Sequence, residues 1–222
     1  MDRLFVDIKF TGKTPDAKLM SIGLVDESGE HKFYAELSDT WQLSDVGEFA
    51  QREVIPKLEG GASRLPIDTL KQYLADWIKE LRVPVMLATD SVQWDWPCIE
   101  DLLKQRWPQN LARDPLLLTT DYLYAFDAFE AAREAAFASG LRRHHALDDA
   151  LANRQAWYTS GGDIRDVGGL PMLKARQRKD AEEVVAGLRS ARSLWVVGKG
   201  DLKGATFTLN PESEFSRKGE GW

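Results

Sequence analysis

Cysteine is nearly absent. Cys98 is the one thiol in 222 residues, which excludes an internal disulfide framework and a cysteine-built zinc cluster. Long apolar runs are missing as well, so no membrane-spanning helix is expected. The first residues, MDRLFVDIKF, lack the apolar stretch and small-residue cleavage site of a secretory leader. They read as a first strand, and a cytoplasmic protein is expected. An excess of basic charge is also lacking: the net charge is −6 and the sequence pI about 5.2. That argues against a long-range grip on duplex nucleic acid, which needs a basic face. It leaves room for a protein whose acids hold a metal ion that in turn holds phosphate.

What is present is ordinary globular composition, 43% hydrophobic and 29% charged, enough for a buried core. Residues 3–10 alternate, with Phe5, Asp7 and Lys9 on one side and Val6, Ile8 and Phe10 on the other. Residues 18–26 and 32–37 form two more strand-like runs around a hairpin turn at Glu27-Ser28-Gly29-Glu30. Ser44 and Asp45 could cap a helix reaching Val54. Ile67, Leu70, Leu74, Trp77, Ile78 and Leu81 recur at helical spacing between Pro66 and Leu81. Residues 84–89 suit a buried parallel strand, 96–107 a helix, and 115–119 another strand. Asp121 heads an alanine-rich helix ending near Ser139-Gly140, and a last helix runs from Ala146 to Tyr158. Strands followed by alternating helix and strand predict a mixed α/β sheet with flanking helices.

Glycines at 161–162 and 168–169 then break the pattern. The expected division is a domain over residues 1–160 and a C-terminal extension over 161–222. In the extension, 171–192 reads as a charged helix, 193–197 and 205–209 as two strands around a Gly-rich turn, and 210–222 as a disordered end. The basic cluster Lys174-Ala175-Arg176-Gln177-Arg178-Lys179 is followed at once by Asp180, Glu182 and Glu183. It fits a solvated helix face better than a phosphate-binding one.

The most informative string is His144-His145-Ala146-Leu147-Asp148-Asp149-Ala150. On one continuous helix, His144 and Asp149 would not share a face. They converge only if His144 lies in the loop before the helix and Asp149 in its first turns. A histidine held beside a metal-bound carboxylate is suited to take a proton from water. A pairing of His145 with Asp149 is also open, although no third ligand is evident, and His145 otherwise reads as structural or a minor substrate contact. Asp148 reads as a solvated or capping acid. Asp95 and the nearby Asp90 compete for one role, with Asp95 favoured. Trp77 falls on a core face, whereas Trp94 and Trp96, flanking Asp95, could stack on a base or simply pack.

This H-x-A-x-x-D-A string resembles the third motif of the DEDDh 3′–5′ exonucleases, a family that includes proofreading subunits, oligoribonucleases and small bacterial exoribonucleases. Asp7-Ile8-Lys9-Phe10-Thr11-Gly12 resembles their first motif and Ser91-Val92-Gln93-Trp94-Asp95 their second. Residues 19–25 and 33–37 are similar to strands of the short exoribonuclease branch. The resemblance covers roughly residues 3–158. It implies a ribonuclease-H-like fold with a mixed five-stranded sheet. It implies magnesium or manganese, one or two ions, held by Asp7, Asp95 and Asp149, with His144 as general base. It also implies that Phe10, Thr11 and Trp94 contact the terminal nucleotide of a single strand, RNA favoured over DNA. Analogy with relatives suggests a homodimer.

One departure stands out. The family's first motif carries glutamate where this chain has Lys9. Four carboxylates carry a charge that two divalent ions neutralise; three carboxylates and a lysine give −2, which matches one. Two readings follow: an exonuclease impaired by Lys9, or a degenerate module that binds nucleic-acid ends or a protein partner without cutting.

Overall fold

The computed structural model describes residues 1–118 and 126–162. The expected helix and strands beyond residue 162 lie outside the described residues, as does Asp121.

The chain opens with three antiparallel strands, β1 (Asp2–Phe10), β2 (Leu19–Asp26) and β3 (Lys32–Leu37). The turn between β2 and β3 is closed by Asp26, whose carboxylate accepts from Gly29 N at 2.8 Å and from Ser28 Oγ at 2.6 Å. Gly29 itself takes φ +83°, the left-handed region a tight turn of this kind requires. Strand β5 (Val85–Thr89) then lies parallel to β1. Strand β6 (Leu116–Leu117) adds parallel to β5, and β4 (Arg64–Leu65) parallel to β3. The order β4-β3-β2-β1-β5-β6 is the expected mixed sheet with one strand more than the five foreseen. The addition, β4, is two residues long, too short to show a period in sequence.

Five helices complete the described domain: α1 (Glu48–Glu53), α2 (Ile67–Glu80), α3 (Val92–Leu103), α4 (Phe126–Ala138) and α5 (Ala146–Thr159). Helix α2 buries Leu70, Leu74, Ala75 and Ile78, and α3 buries Ile99, Leu102 and Leu103. These meet Leu4, Val6, Ile8, Ile22, Leu24 and Leu87 of the sheet in the main core. Phe5 points to the opposite face, where its ring meets Trp157 and Tyr158 of α5. The alternation along β1 therefore sends Asp7 and Lys9 toward α5 as well.

Two helix boundaries depart from expectation. Asp45 does not cap α1: its carboxylate accepts from Gln42 N at 2.7 Å and closes a short 3-10 turn, and α1 begins later, after Gly47. Helix α3 starts at Val92 rather than 96 because Ser91 O accepts from both Trp94 N and Asp95 N, closing a turn ahead of Pro97. That shift places Asp95 in the helix's first turn.

Candidate active site

Asp7 sits in the middle of β1 and pairs across the ladder with Gly23 of β2. Gly23 is the reason α5 can come so close. A Cβ there would lie 2.2 Å from Leu147 N and 2.4 Å from Ala146 C, so only a bare backbone lets the first turn of α5 rest on the sheet. Asp149, in that first turn, is thereby brought over β1, and an acid near a helix N-terminus is electrostatically favoured.

The loop ahead of α5 is held by its own polar network. Asp148 accepts from Arg142 N at 2.9 Å and Arg142 Nε at 2.7 Å. Arg142 also donates to Glu59 Oε1 at 3.0 Å. His145 is the N-cap of α5: its Nδ1 accepts from Asp148 N at 3.3 Å, and its ring lies against Tyr34, centroids 4.4 Å apart. His145 is therefore structural and Asp148 is a buried ion-pair acid, not a solvated one. His144 is left in the loop with φ +67°, an unfavourable region for a side chain of this kind, and its backbone N–H reaches both carboxylate oxygens of Asp149 at 3.1 Å. Histidine in the loop and aspartate in the helix is the arrangement their spacing demanded.

Lys9 occupies the centre of this constellation. Its Nζ lies 2.8 Å from Asp7 Oδ2 and 2.5 Å from Asp149 Oδ2, with its side chain 13% exposed. Burial works against the ammonium charge, but Asp7 and Asp149 outweigh it and hold the lysine pKa above its ordinary value. Burial also raises Asp7 well above the carboxylate range. Lys9 opposes that rise, and Asp149, Asp95 and Asp90 reinforce it. Asp95 is buried and accepts a hydrogen bond from the Thr89 hydroxyl at the end of β5. Burial and the neighbouring Asp90 push its carboxyl up to about 7 against the pull of that bond and of Lys9. Burial and Lys9 lower the pKa of His144, against the opposing effect of Asp149, so its ring is neutral at neutral pH.

All four expected residues, Asp7, Asp95, His144 and Asp149, line one cleft of about 750 Å³ with Lys9. Phe10, Thr11 and Trp94 line it too, the Phe10 and Trp94 rings 6.3 Å apart. The Thr11 hydroxyl oxygen already accepts from Lys18 N at 2.9 Å, which folds the loop after β1. Asp90 lines the cleft but is bound by Arg133 Nη1 at 2.6 Å, which removes it as a free substitute for Asp95. Trp96 turns away and packs edge-on against Trp107, and Trp77 packs against Phe33. Sequence reasoning missed Phe49, Arg133 and Arg143 in the cleft. Phe49 is the one with a trace in the sequence, as an aromatic within the helical stretch ending at Val54. Arg133 and Arg143 arrive from α4 and the following loop through tertiary packing alone.

The residues present do not fit a two-ion centre. The Lys9 ammonium stands between the two carboxylates that would share an ion, and no group of three or more His, Cys, Asp or Glu able to hold a metal forms among the described residues.

Comparison with known proteins agrees with the architecture. The Mg2+- and Mn2+-bound form of S. pombe Pop2p aligns with a TM-score of 0.47 at 14% identity, over 73% of this chain and 86% of that one. Exonuclease I aligns with a TM-score of 0.51 at 13% identity, over 71% of this chain but 41% of its own length. The fold is the ribonuclease-H-like α/β fold that exonuclease I also has. No curated protein matches the sequence. The family model of the Rv2179c-like 3′-5′ exoribonuclease domain matches residues 2–160, and the chain belongs to that family.

Proposed function

We propose that the chain is a 3′–5′ exonuclease of single-stranded ends, RNA favoured over DNA, whose hydrolysis is held low by Lys9. One observation carries the reading: Asp7 and Asp149, 142 positions apart in the chain, contact the same cationic nitrogen inside a cleft that Asp95 and His144 also line. That is a site built to hold positive charge against a phosphate. The residues supply the remaining parts. The neutral imidazole of His144 takes a proton from water. The water oxygen bonds to the terminal phosphorus and the bond to the preceding 3′ oxygen breaks; that oxygen takes up a proton and stays on the shortened strand as a 3′ hydroxyl, while a nucleoside 5′-monophosphate leaves. Phe10 and Trp94 offer apolar surface to the terminal base. Asp7, Asp95 and Asp149 would supply oxygen donors to magnesium or manganese only in a site from which the Lys9 ammonium were displaced. The preference for RNA rests on the family, a homodimer on analogy with relatives, and a cytoplasmic location on the single cysteine, Cys98.

A second reading is favoured by the same lysine. With its ammonium in contact with both acids, the domain would bind nucleic-acid ends, or a protein partner, without cutting them. Incubating a labelled single-stranded RNA with magnesium or manganese separates the two. Slow shortening from the 3′ end that disappears in Asp149→Ala supports the impaired exonuclease. Shortening only in Lys9→Glu supports the binding module. No shortening by either protein would overturn the exonuclease reading.

A further inference from the structure

We propose that this chain holds the terminal nucleotide of a single strand without a divalent ion, the Lys9 ammonium supplying the cationic charge at the phosphate. The inference rests on the cleft being a nucleic-acid-end site and deepens that reading.

An ammonium has three N–H donors and no acceptor. One of them goes to Asp149 Oδ2, and Asp7 Oδ2 lies 2.8 Å from Nζ as an ion-pair partner, which holds Nζ between the two acids and leaves a donor for an oxygen arriving from the cleft that Lys9 lines. The charge of the cleft is also close to balanced by protein groups. Its acids are Asp7, Asp90, Asp95, Asp149 and Glu48; its bases are Lys9, Lys13, Arg133 and Arg143. A centre of carboxylates alone repels phosphate until metal ions enter. Here four cations stand among five acids, with Arg133 also paired to Glu130 and Arg143 to Glu134, so a phosphate meets less repulsion than at a centre of carboxylates alone. Two ring pairs offer the nucleobase a surface that needs no metal either: Phe10 with Trp94, and Phe49 edge-on to His144 at 5.1 Å. Phe49 is 53% exposed, an aromatic face open to a ligand.

The test is fluorescence anisotropy of a short single-stranded RNA, labelled at its 5′ end, with the full-length protein in EDTA and in magnesium. The unmodified protein should bind about equally in both. Lys9→Gln, which removes the charge and shortens the side chain by one bond, should bind about tenfold more weakly in EDTA. Lys9→Glu should bind only when magnesium is present. If the unmodified protein needs magnesium to bind, the inference falls while the exonuclease-site reading stands. If Lys9→Gln binds in EDTA as tightly as the unmodified protein, the RNA is held elsewhere and the inference falls. If no version binds RNA in either condition, both the inference and the reading beneath it fail. The comparison of the unmodified protein in EDTA and magnesium decides the matter even if Lys9→Glu does not fold.

Discussion

Lys9 is the residue on which the site turns. Its nitrogen separates two buried carboxylates that would otherwise face one another across the cleft. Removing one partner of a buried ionic cluster leaves the rest uncompensated, which is worth about 3 kcal/mol. Lys9→Met should therefore lower stability in EDTA by about that amount. Manganese should recover part of the loss, because a divalent ion can then take the vacated place between the acids. Chemical denaturation with and without manganese reads both effects. A Lys9→Met protein as stable as the original in EDTA would mean that the lysine is a bystander. At this scale the sequence was informative because chemistry-bearing residues sat where bland ones were expected, as with Asp7 amid Phe5, Val6, Ile8 and Phe10. What it hid were the partners. The Arg133 that neutralises Asp90 lies 43 positions away on α4, and the Thr89 hydroxyl on Asp95 comes from a strand end with no distinguishing pattern.

Two elements decide whether the residues meet. The first is the contact of α5 with β2 at Gly23. A methyl group there would have to push the backbone of Ala146 and Leu147 away, and overpacking of this kind costs about 1–3 kcal/mol. Gly23→Ala should lose roughly that much stability and weaken RNA binding together, since Asp149 moves with the helix. Unchanged binding in a destabilised Gly23→Ala protein would show that the placement of α5 does not set the site. The second is the β2–β3 turn. Burial tends to raise Asp26, but hydrogen bonds from Ser28, His31 and Gly29 outweigh it and hold the carboxyl below its ordinary value. Its contribution is therefore complete above the unfolded pKa of about 3.9 and fades as pH falls through the lower folded value. Asp26→Asn should cost about 1 kcal/mol at neutral pH. The gap from the original protein should close in strong acid, as read by denaturant midpoints across pH; a gap independent of pH would remove the carboxylate from the explanation. The β2–β3 turn was legible from Ser28-Gly29. The closeness of α5 was not, because nothing in a lone glycine within a strand says which backbone passes over it.

For the molecule as a whole, the order of elements was readable because each long element kept its period, and α2 shows this best. The two-residue strand β4 and the start of α3 depend on neighbours instead of on local pattern. The family and the fold place the chain among exonucleases, while Lys9 gives the cleft a cation of its own. Crystals soaked in manganese and measured for anomalous scattering weigh these two facts against each other. The unmodified protein should show Lys9 Nζ between Asp7 and Asp149 with no manganese peak there, and Lys9→Glu should show a peak at that position. A strong peak bridging Asp7 and Asp149 in the unmodified protein, with the lysine swung out to solvent, would contradict the idea that its ammonium has taken the ion's place.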